Sequence, residues 1–400
     1  LAARQSQWLQ LIMDDFQDVG SIRGSIRGFS ERNGCCAVNF FSVQPALNFG
    51  FARCDKDWQQ PMDAEGPKAT IVEMEKVMRF WLQMGCDGFR VDMAGSLVKN
   101  DPDGLGTIRL WQTIRPFLDK EFPEAAMVSE WGEPDKSLQA GFDMDFLLHF
   151  GPSHYNDLFR CEEPYFSTRG KGSAAAFVKN YKESRKKAGE KGLICIPSGN
   201  HDMDRLARTL HGDELKVAFA FLLTMPGAPF IYYGDEIGLR YVENLVSVEG
   251  GYNRTGSRSP MQWNHSANAG FSSCKPEELY IQIDPDEDRP TAEDALAGKN
   301  GLYDEVKKLI AVRKEHQALQ NTAPMEFVYV KESAYPLVYK RTGKDETIYI
   351  VLNPSGQDVE CDAQIPQNAQ PIYSNHGEAV YADGKWKVPA ASATFLKAEN

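Results

Sequence analysis

The sequence predicts an α/β protein in which a (β/α)8 TIM barrel is followed by a small antiparallel β-sandwich. Between about residues 68 and 320, short apolar runs alternate with helical patterns, which indicates parallel strands joined by helices. These runs end in polar residues, as strands do at the active face of such a barrel. After about residue 322, short alternating strands separated by turn signals are typical of a sandwich.

The helices are predicted from apolar periodicity. In KATIVEMEKVMRFWLQMG, Ile71, Met74, Met78 and Trp81 recur at helical spacing, and Gly85 marks the end of the helix. The segments TIRLWQTIRPFLDKEF, DELKVAFAFLLTM and NGLYDEVKKLIAVRKEHQAL show the same kind of pattern.

The strand-like runs number only five before the sandwich. They are DGFRVDM, AAMVSEW, FDMDFLLHF, LICIPSGNHD and PFIYYGDE. Because five strands cannot close a barrel of eight, we expect strands one to three to lie upstream of Leu1, in a chain whose beginning is missing. Residues 1–66 are then a loop-rich excursion between strands three and four, 67–322 carry barrel strands four to eight, and 323–400 form the sandwich. The sandwich strands are expected in MEFVYV, YPLVYKRT, ETIYIVLN and KWKVPAASATFLK.

Composition and charge exclude several classes of protein. The net charge of −12 argues against nucleic-acid binding, which needs concentrated Lys and Arg. No apolar run is long enough to span a membrane. The eight scattered cysteines include no CxxC pair and no zinc-ligand spacing, so we expect free thiols, no metal and a cytoplasmic location. The oligomeric state is left open.

Three strand ends carry candidate catalytic acids: Asp92, Glu130 and Asp202. A single Asp at a strand end usually caps the following helix. Three acids in one barrel, with Arg90 beside the first and His201 beside the third, favour chemistry instead. Asp143 and Asp145 could line the pocket, but an Asp on a barrel strand more often orients neighbouring groups by hydrogen bonds.

Paired carboxylates suit glycoside hydrolysis. Cleaving an acetal requires a proton for the leaving oxygen and a carboxylate near the anomeric carbon, about 5–5.5 Å from the acid when configuration is retained. Arg90 would keep Asp92 ionised as a nucleophile. Apolar Val128 and Trp131 would favour a protonated Glu130 that can donate.

These segments resemble the α-amylase family of glycoside hydrolases (family 13). GFRVD, VSEW and GNHD resemble three of its signature segments. The resemblance implies that Asp92 is the nucleophile, Glu130 the acid/base and Asp202 the third carboxylate, with Arg90 as partner of the nucleophile and His201 as a substrate ligand. It also implies the (β/α)8 barrel with a C-terminal β-domain. Asp235 and Glu236 in YYGDE resemble the end of strand eight in this family, which implies that they cap and brace the loop there.

Two further motifs narrow the resemblance. QPALN (44–48) resembles a segment of the oligo-1,6-glucosidase-like subfamilies, and RSPMQWN (258–264) resembles a motif of α-glucosidases, trehalose-6-phosphate hydrolases, sucrose isomerases and trehalose synthases. The match places Arg258 near the +1 sugar. The alternative is that Arg258 and Trp263 only anchor a long loop.

The chain departs from the family pattern in two places. The first signature segment, which ends in Asn-His after strand three, is absent. Met93 to Ser96 stand where starch-degrading α-amylases have Lys-His, which argues against a calcium-dependent α-amylase.

The sequence therefore predicts a retaining glycosidase that acts on α-glucosidic bonds of short oligosaccharides without a cofactor. A glucosyl transferase or isomerase of the same family, such as a trehalose synthase, is the main alternative. A non-catalytic sugar-binding protein is a further one. Linkage and preferred chain length do not follow from the sequence.

Overall fold

The computed structural model describes residues 11–12, 25–27, 35–37, 44–247 and 254–399. Most of the predicted excursion over residues 1–66 therefore lies outside the described residues. Within it, β1 (Leu11–Ile12), β2 (Ser25–Arg27) and β3 (Cys35–Ala37) form an antiparallel sheet in the order β1-β3-β2.

The described contacts divide the chain into two compact units. The first comprises Leu1–Phe146 and Arg185–Gly192, and the second comprises Leu147–Ser184 and Leu193–Asn400.

The first unit alternates helices and parallel strands as predicted. Its elements after β3 are α1 (Glu65–Gln83), β4 (Gly88–Val91), α2 (Leu105–Glu121), β5 (Ala126–Ser129), α3 (Pro134–Ala140) and β6 (Met144–Phe146). Strand β5 pairs in parallel with β4 on one side and β6 on the other. Buried Trp111, Leu118, Met127 and Phe142 form the centre of its core.

Close backbone packing fixes the start of β4. A Cβ atom at Gly88 would lie 2.0 Å from the carbonyl oxygen of Ala126, the residue paired with it on β5. Only glycine therefore fits there. Gly85, which the sequence marks as the end of α1, adopts φ +103° just beyond the last helical turn.

The second unit contains the remaining helices and one further short strand before the C-terminal sheets. The elements are α4 (Tyr155–Phe159), α5 (Ala175–Ala188, which ends in the first unit), β7 (Leu193–Cys195), α6 (Asp213–Thr224), α7 (Ala292–Leu296) and α8 (Gly301–Glu315). Helix α6 contacts α8 and two C-terminal strands, which explains why it is apolar on every side after its polar first turn. Asn300 caps α8 by accepting hydrogen bonds from the next turn.

One predicted strand is not present as a strand. The run PFIYYGDE contributes an isolated parallel bridge between Phe230 and Pro197, and the chain turns at Tyr232. Pro229 and Pro197 have no N–H group, so neither can extend a ladder of hydrogen bonds here. The described residues do not contain eight parallel strands, and the closed barrel remains a prediction.

The C-terminal segment confirms the antiparallel sheets. Its strands are β8 (Met325–Tyr329), β9 (Leu337–Thr342), β10 (Glu346–Asn353), β11 (Val359–Cys361), β12 (Gln370–Ser374), β13 (Val380–Ala382), β14 (Lys385–Val388) and β15 (Ser392–Glu399). Five form a sheet in the order β12-β15-β10-β9-β8, and three form a sheet in the order β11-β14-β13. Val338, Val351, Trp386 and Leu396 are buried in one core cluster. No helix in the described part of the chain could cross a bilayer.

Candidate active site

In the first unit, one arginine binds two of the predicted catalytic carboxylates. Val91 and Ser129 are paired residues on β4 and β5, so Asp92 and Glu130 leave adjacent strand ends. Arg90 Nη1 lies 2.6 Å from Asp92 Oδ1, and Arg90 Nη2 lies 2.6 Å from Glu130 Oε1. Carboxylates that share a single guanidinium group lie within a few ångströms of each other.

The environments of these two carboxylates differ strongly. The Asp92 side chain is 64% exposed, whereas that of Glu130 is 9% exposed. Glu130 Oε2 also accepts a hydrogen bond of 3.3 Å from Met93 N. Met93 has φ +46°, in the left-handed region, and follows Asp92 directly. Glu130 thus has a cation and an N–H donor beside it as well as the apolar neighbours predicted from the sequence.

The buried carboxylate of Asp145 fixes the peptide segment around Glu130. Asp145 on β6 is fully buried, and its Oδ1 accepts hydrogen bonds from Ser129 Oγ at 2.7 Å and Trp131 N at 3.1 Å. Burial raises the pKa of Asp145 to about 7, while these hydrogen bonds oppose the shift. Asp145 therefore orients both sequence neighbours of Glu130. Its predicted orienting role is confirmed.

Close packing against Trp131 also restricts the segment that follows β4. A Cβ atom at Gly95 would lie 2.5 Å from the indole nitrogen of Trp131. Because that glycine follows β4, the segment after Asp92 and the segment after Glu130 pack directly against each other.

In the second unit, Asp202 is surrounded by cations. Its Oδ1 accepts hydrogen bonds from Arg258 Nη2 at 2.8 Å and from Arg254 Nη1. His201 Nε2 lies 3.3 Å from Asp202 Oδ2, and Arg258 Nε donates to the His201 carbonyl at 2.7 Å. Asn200 Oδ1 accepts the Asp202 N–H at 2.8 Å. The predicted residues His201, Asp202 and Arg258 thus lie together.

The segment that carries Asp202 is braced by a buried ion pair. Arg205 is fully buried, donates to Asp235 Oδ1 at 3.0 Å, and lies over the rings of Tyr232 and Tyr233. Ser198 Oγ donates to Asp235 Oδ2 at 2.7 Å. Burial raises the pKa of Asp235, and the Arg205 charge opposes the shift. The bracing role predicted for the YYGDE motif is confirmed for Asp235.

The structure adds three residues that the sequence did not single out as parts of the site: Met93, Asp145 in its contact with the Glu130 segment, and Arg254. Arg254 directly precedes the 3-10 turn Thr255–Arg258, and both Arg254 and Arg258 donate to Asp202 Oδ1. Neither Arg254 nor Met93 gave a signal in the sequence, since both contacts depend on backbone conformation.

The QPALN motif has a local structural role. Asn48 is buried, its Nδ2 donates to Gln60 Oε1 at 3.1 Å, and its Oδ1 accepts from Gly50 N at 3.2 Å. Within the described ranges, no cluster of three or more His, Cys, Asp or Glu side chains is arranged to hold a metal ion.

Known proteins match this chain over the range that contains Asp92, Glu130 and Asp202. The family model described as the catalytic domain of α-amylase matches residues 54–322. A glucan 1,6-α-glucosidase of Streptococcus pneumoniae is 26% identical over 394 residues, covering 86% of this chain and 69% of that protein. A trehalose synthase/amylase of Mycobacterium tuberculosis is 28% identical over 395 residues, covering 83% of this chain and 59% of that protein. The chain thus spans between about half and about two thirds of the length of such relatives.

Solved structures show the same fold. The chain resembles a trehalose-6-phosphate hydrolase of Bacillus licheniformis with a TM-score of 0.75 and 17% identity, covering 100% of this chain and 80% of that one. It resembles Amy13B of Eubacterium rectale with a TM-score of 0.70 and 21% identity, covering 98% of this chain and 70% of that one.

Proposed function

Because the chain belongs to the α-amylase catalytic-domain family, we propose that it cleaves α-glucosidic bonds of short oligosaccharides with retention of configuration. The observation that carries this proposal is the single guanidinium group shared by Asp92 and Glu130 at adjacent strand ends. It keeps two carboxylates of unequal exposure close together, as double displacement requires. The predicted (β/α)8 barrel is part of the proposal.

In the first step, an Asp92 oxygen attacks the anomeric carbon while the bond to the leaving oxygen breaks. Glu130 delivers its proton to that oxygen, and a glycosyl ester forms on Asp92. The exposed carboxylate is suited to attack, and the shielded one to proton transfer.

In the second step, Glu130 accepts a proton from water as the water oxygen attacks the anomeric carbon. The ester bond to Asp92 breaks, and the product has the α configuration of the substrate. The roles proposed for His201 and Asp202 are to hold hydroxyl groups of the −1 sugar. Arg254 and Arg258 both donate to Asp202 Oδ1 and so fix the orientation of this carboxylate.

Proton NMR tests this reaction directly. The protein is mixed separately with maltose, maltotriose and isomaltose, and the anomeric signals are followed from the first minutes. Because the leaving sugar carries the anomeric mixture of the substrate's reducing end, the expected result is early product enriched in the α anomer above that mixture. Early product enriched in the β anomer would contradict retention, and Asp92→Asn provides the inactive control.

A second candidate is transfer of the glucosyl group to another sugar. It is favoured by the 28% identity to a trehalose synthase/amylase, because water and a sugar compete for the same glycosyl ester. In the same NMR experiment, transfer gives new α,α-1,1 or α-1,6 signals from maltose without net release of glucose.

A further inference from the structure

An arginine outside the proposed catalytic set binds both ends of the segment that carries His201 and Asp202. Arg160 directly follows α4 and is partly buried in the second unit. Its Nε donates to the Asp204 carbonyl at 2.6 Å, and its Nη2 donates to the Ser198 carbonyl at 2.6 Å. One guanidinium group therefore holds the first and the last residue of the segment from Ser198 to Asp204.

The shape of the guanidinium group explains why arginine suits this position. Nε and Nη2 lie on one edge of the planar group, so two carbonyl oxygens that bind there must lie close together. The third nitrogen, Nη1, donates to the hydroxyl of Tyr155 at 2.8 Å, and this hydroxyl donates to the Pro197 carbonyl at 2.7 Å. Tyr155 is 1% exposed, so a buried hydroxyl fixes the guanidinium group from the side of α4.

The positive charge of Arg160 is directed to neutral oxygens. Among the residues that the structure describes, no carboxylate forms an ion pair with Arg160, and the Asp204 carboxylate pairs with Arg208 at 2.8 Å. Hydrogen bonds from a charged donor are roughly twice as strong as neutral ones. All three nitrogens bind the segment or Tyr155, which itself donates to the residue before Ser198. The side chain is therefore used entirely to hold this segment.

The segment is packed tightly where Arg160 binds it. A Cβ atom at Gly199 would lie 3.2 Å from Arg160 Nη2 and 3.0 Å from Asp235 Oδ2. Ser198 Oγ donates to the same Asp235 oxygen at 2.7 Å. The backbone of Ser198 and Gly199 is therefore confined between Arg160 and Asp235.

Arg160 and the two arginines beside Asp202 act on different parts of the segment. Arg254 and Arg258 donate to the Asp202 carboxylate, whereas the two contacts of Arg160 with the segment are to backbone carbonyls at its ends. Contacts to a side chain orient the carboxylate, but its place relative to a substrate also depends on where the backbone lies. A displacement of about 1 Å at a catalytic group can lower a rate about 100-fold.

We propose that Arg160 is a positioning residue for the reaction: it holds the ends of the segment from Ser198 to Asp204 together and so places Asp202 against the −1 sugar. The inference rests on the proposed function and deepens it, because it names a residue that acts on the sugar only through Asp202.

A double-mutant cycle in kcat/KM on α-glucosyl fluoride tests this role, because a residue that acts through Asp202 loses its effect once Asp202 is changed. Arg160→Met should lower kcat/KM about 10- to 100-fold in the parent protein, but by less than about threefold in Asp202→Asn. Arg160→Lys can bind only one of the two carbonyls and should give an intermediate loss. Urea titrations verify that each variant is folded, and Arg160→Lys carries the comparison if Arg160→Met does not fold.

The matched control is Arg169→Met, because Arg169 lies in the same unit and donates to the Glu162 carbonyl at 2.6 Å. It should leave kcat/KM within about twofold of the parent value. Calorimetric titration with 1-deoxynojirimycin, a glucose analogue, gives the same cycle in Kd without turnover, in case Asp202→Asn is too slow to measure.

Equal losses from Arg160→Met in both backgrounds would overturn the positioning role, and so would unchanged kcat/KM in a folded Arg160→Met. Either result leaves the glycosidase proposal intact. A parent protein that neither turns over α-glucosyl fluoride nor binds the analogue would instead overturn the proposed function, and the positioning role with it.

Discussion

At the scale of single residues, the main feature is a guanidinium group that binds an exposed and a shielded carboxylate at once. Arg90 contacts Asp92 and Glu130 at the same distance of 2.6 Å, although their exposures differ sevenfold. Pairing with one guanidinium group restricts the orientation of both carboxyl groups. The difference in their exposure is the basis for proposing different catalytic roles for them.

Glu130→Gln tests the acid/base assignment. Glutamine cannot donate a proton to a leaving sugar, so kcat on maltose should fall by about 10²–10⁴. The loss on α-glucosyl fluoride should be much smaller, because fluoride leaves with little protonic assistance. Glu133→Gln is the control, since Glu133 lies in the same loop but pairs with Lys136. Equal losses of Glu130→Gln on both substrates would contradict the assignment.

A double-mutant cycle tests the contact of Arg254 with Asp202. Arg254→Gln and Asp202→Asn should each lower the free energy of unfolding, because each leaves a largely buried charge with one partner fewer. Their effects should be non-additive by about 0.5–3 kcal/mol in urea titrations. Asp204→Asn replaces Asp202→Asn in the control cycle, because Asp204 pairs with Arg208 instead. Additive effects at Asp202 would rule out the contact.

Asp145 predicts a pH dependence of stability. Its folded pKa is raised to about 7, above the value of about 3.9 in an unfolded chain. Between these values the folded state keeps a proton that the unfolded state loses, so this contribution to stability is complete below about pH 4 and is lost as pH rises to about 7. Asp145→Asn should flatten this part of the curve of unfolding free energy against pH. An unchanged slope would contradict the assigned pKa.

At the scale of elements, the close contact of β4 with β5 positions the strand ends that carry Asp92 and Glu130. Gly88→Ala would force a methyl group onto the Ala126 carbonyl, so we expect the free energy of unfolding to fall by about 1–3 kcal/mol. Gly301→Ala is the matched control, because a Cβ at Gly301 on α8 meets no atom within 4 Å. Urea midpoints measure both. A Gly88→Ala variant as stable as the control would show that β4 can move away from β5.

Sequence periodicity predicted where the helices lie but not which of their side chains other elements bury. The spacing of Met78 and Trp81 placed α1, yet Met78 is buried while Trp81 is 49% exposed. Periodicity reports which side of a helix is apolar, and burial depends on neighbours that are distant in sequence. The same limit explains the run at Phe230, where two prolines leave a bridge instead of a strand.

The site could be predicted where residue types indicate the chemistry, but not where a contact depends on backbone conformation. Strand-end carboxylates with adjacent cations pointed to Arg90 with Asp92 and to His201 with Asp202. The Met93 contact to Glu130 depends on a left-handed backbone, and no residue preference indicates it, because methionine seldom adopts that conformation. Arg254 is 52 residues from its partner, a separation that periodicity does not address.

At the scale of the whole molecule, the family match and the likeness to solved structures cover different lengths of the chain. The catalytic-domain match covers residues 54–322, and the fold likeness extends along the entire chain. The three carboxylates proposed for catalysis, Asp92, Glu130 and Asp202, all fall within the range that the family model matches.

The central claim is that Asp92 forms a covalent glycosyl ester. The most direct measurement is to treat the protein with 5-fluoro-α-glucosyl fluoride, whose fluorines speed formation of the ester relative to its hydrolysis, and to locate the label by peptide mass spectrometry. One label per chain on Asp92, absent from Asp92→Asn, is the predicted result. Turnover of α-glucosyl fluoride without any label, or a label on Glu130 or Asp202 instead, would contradict the account.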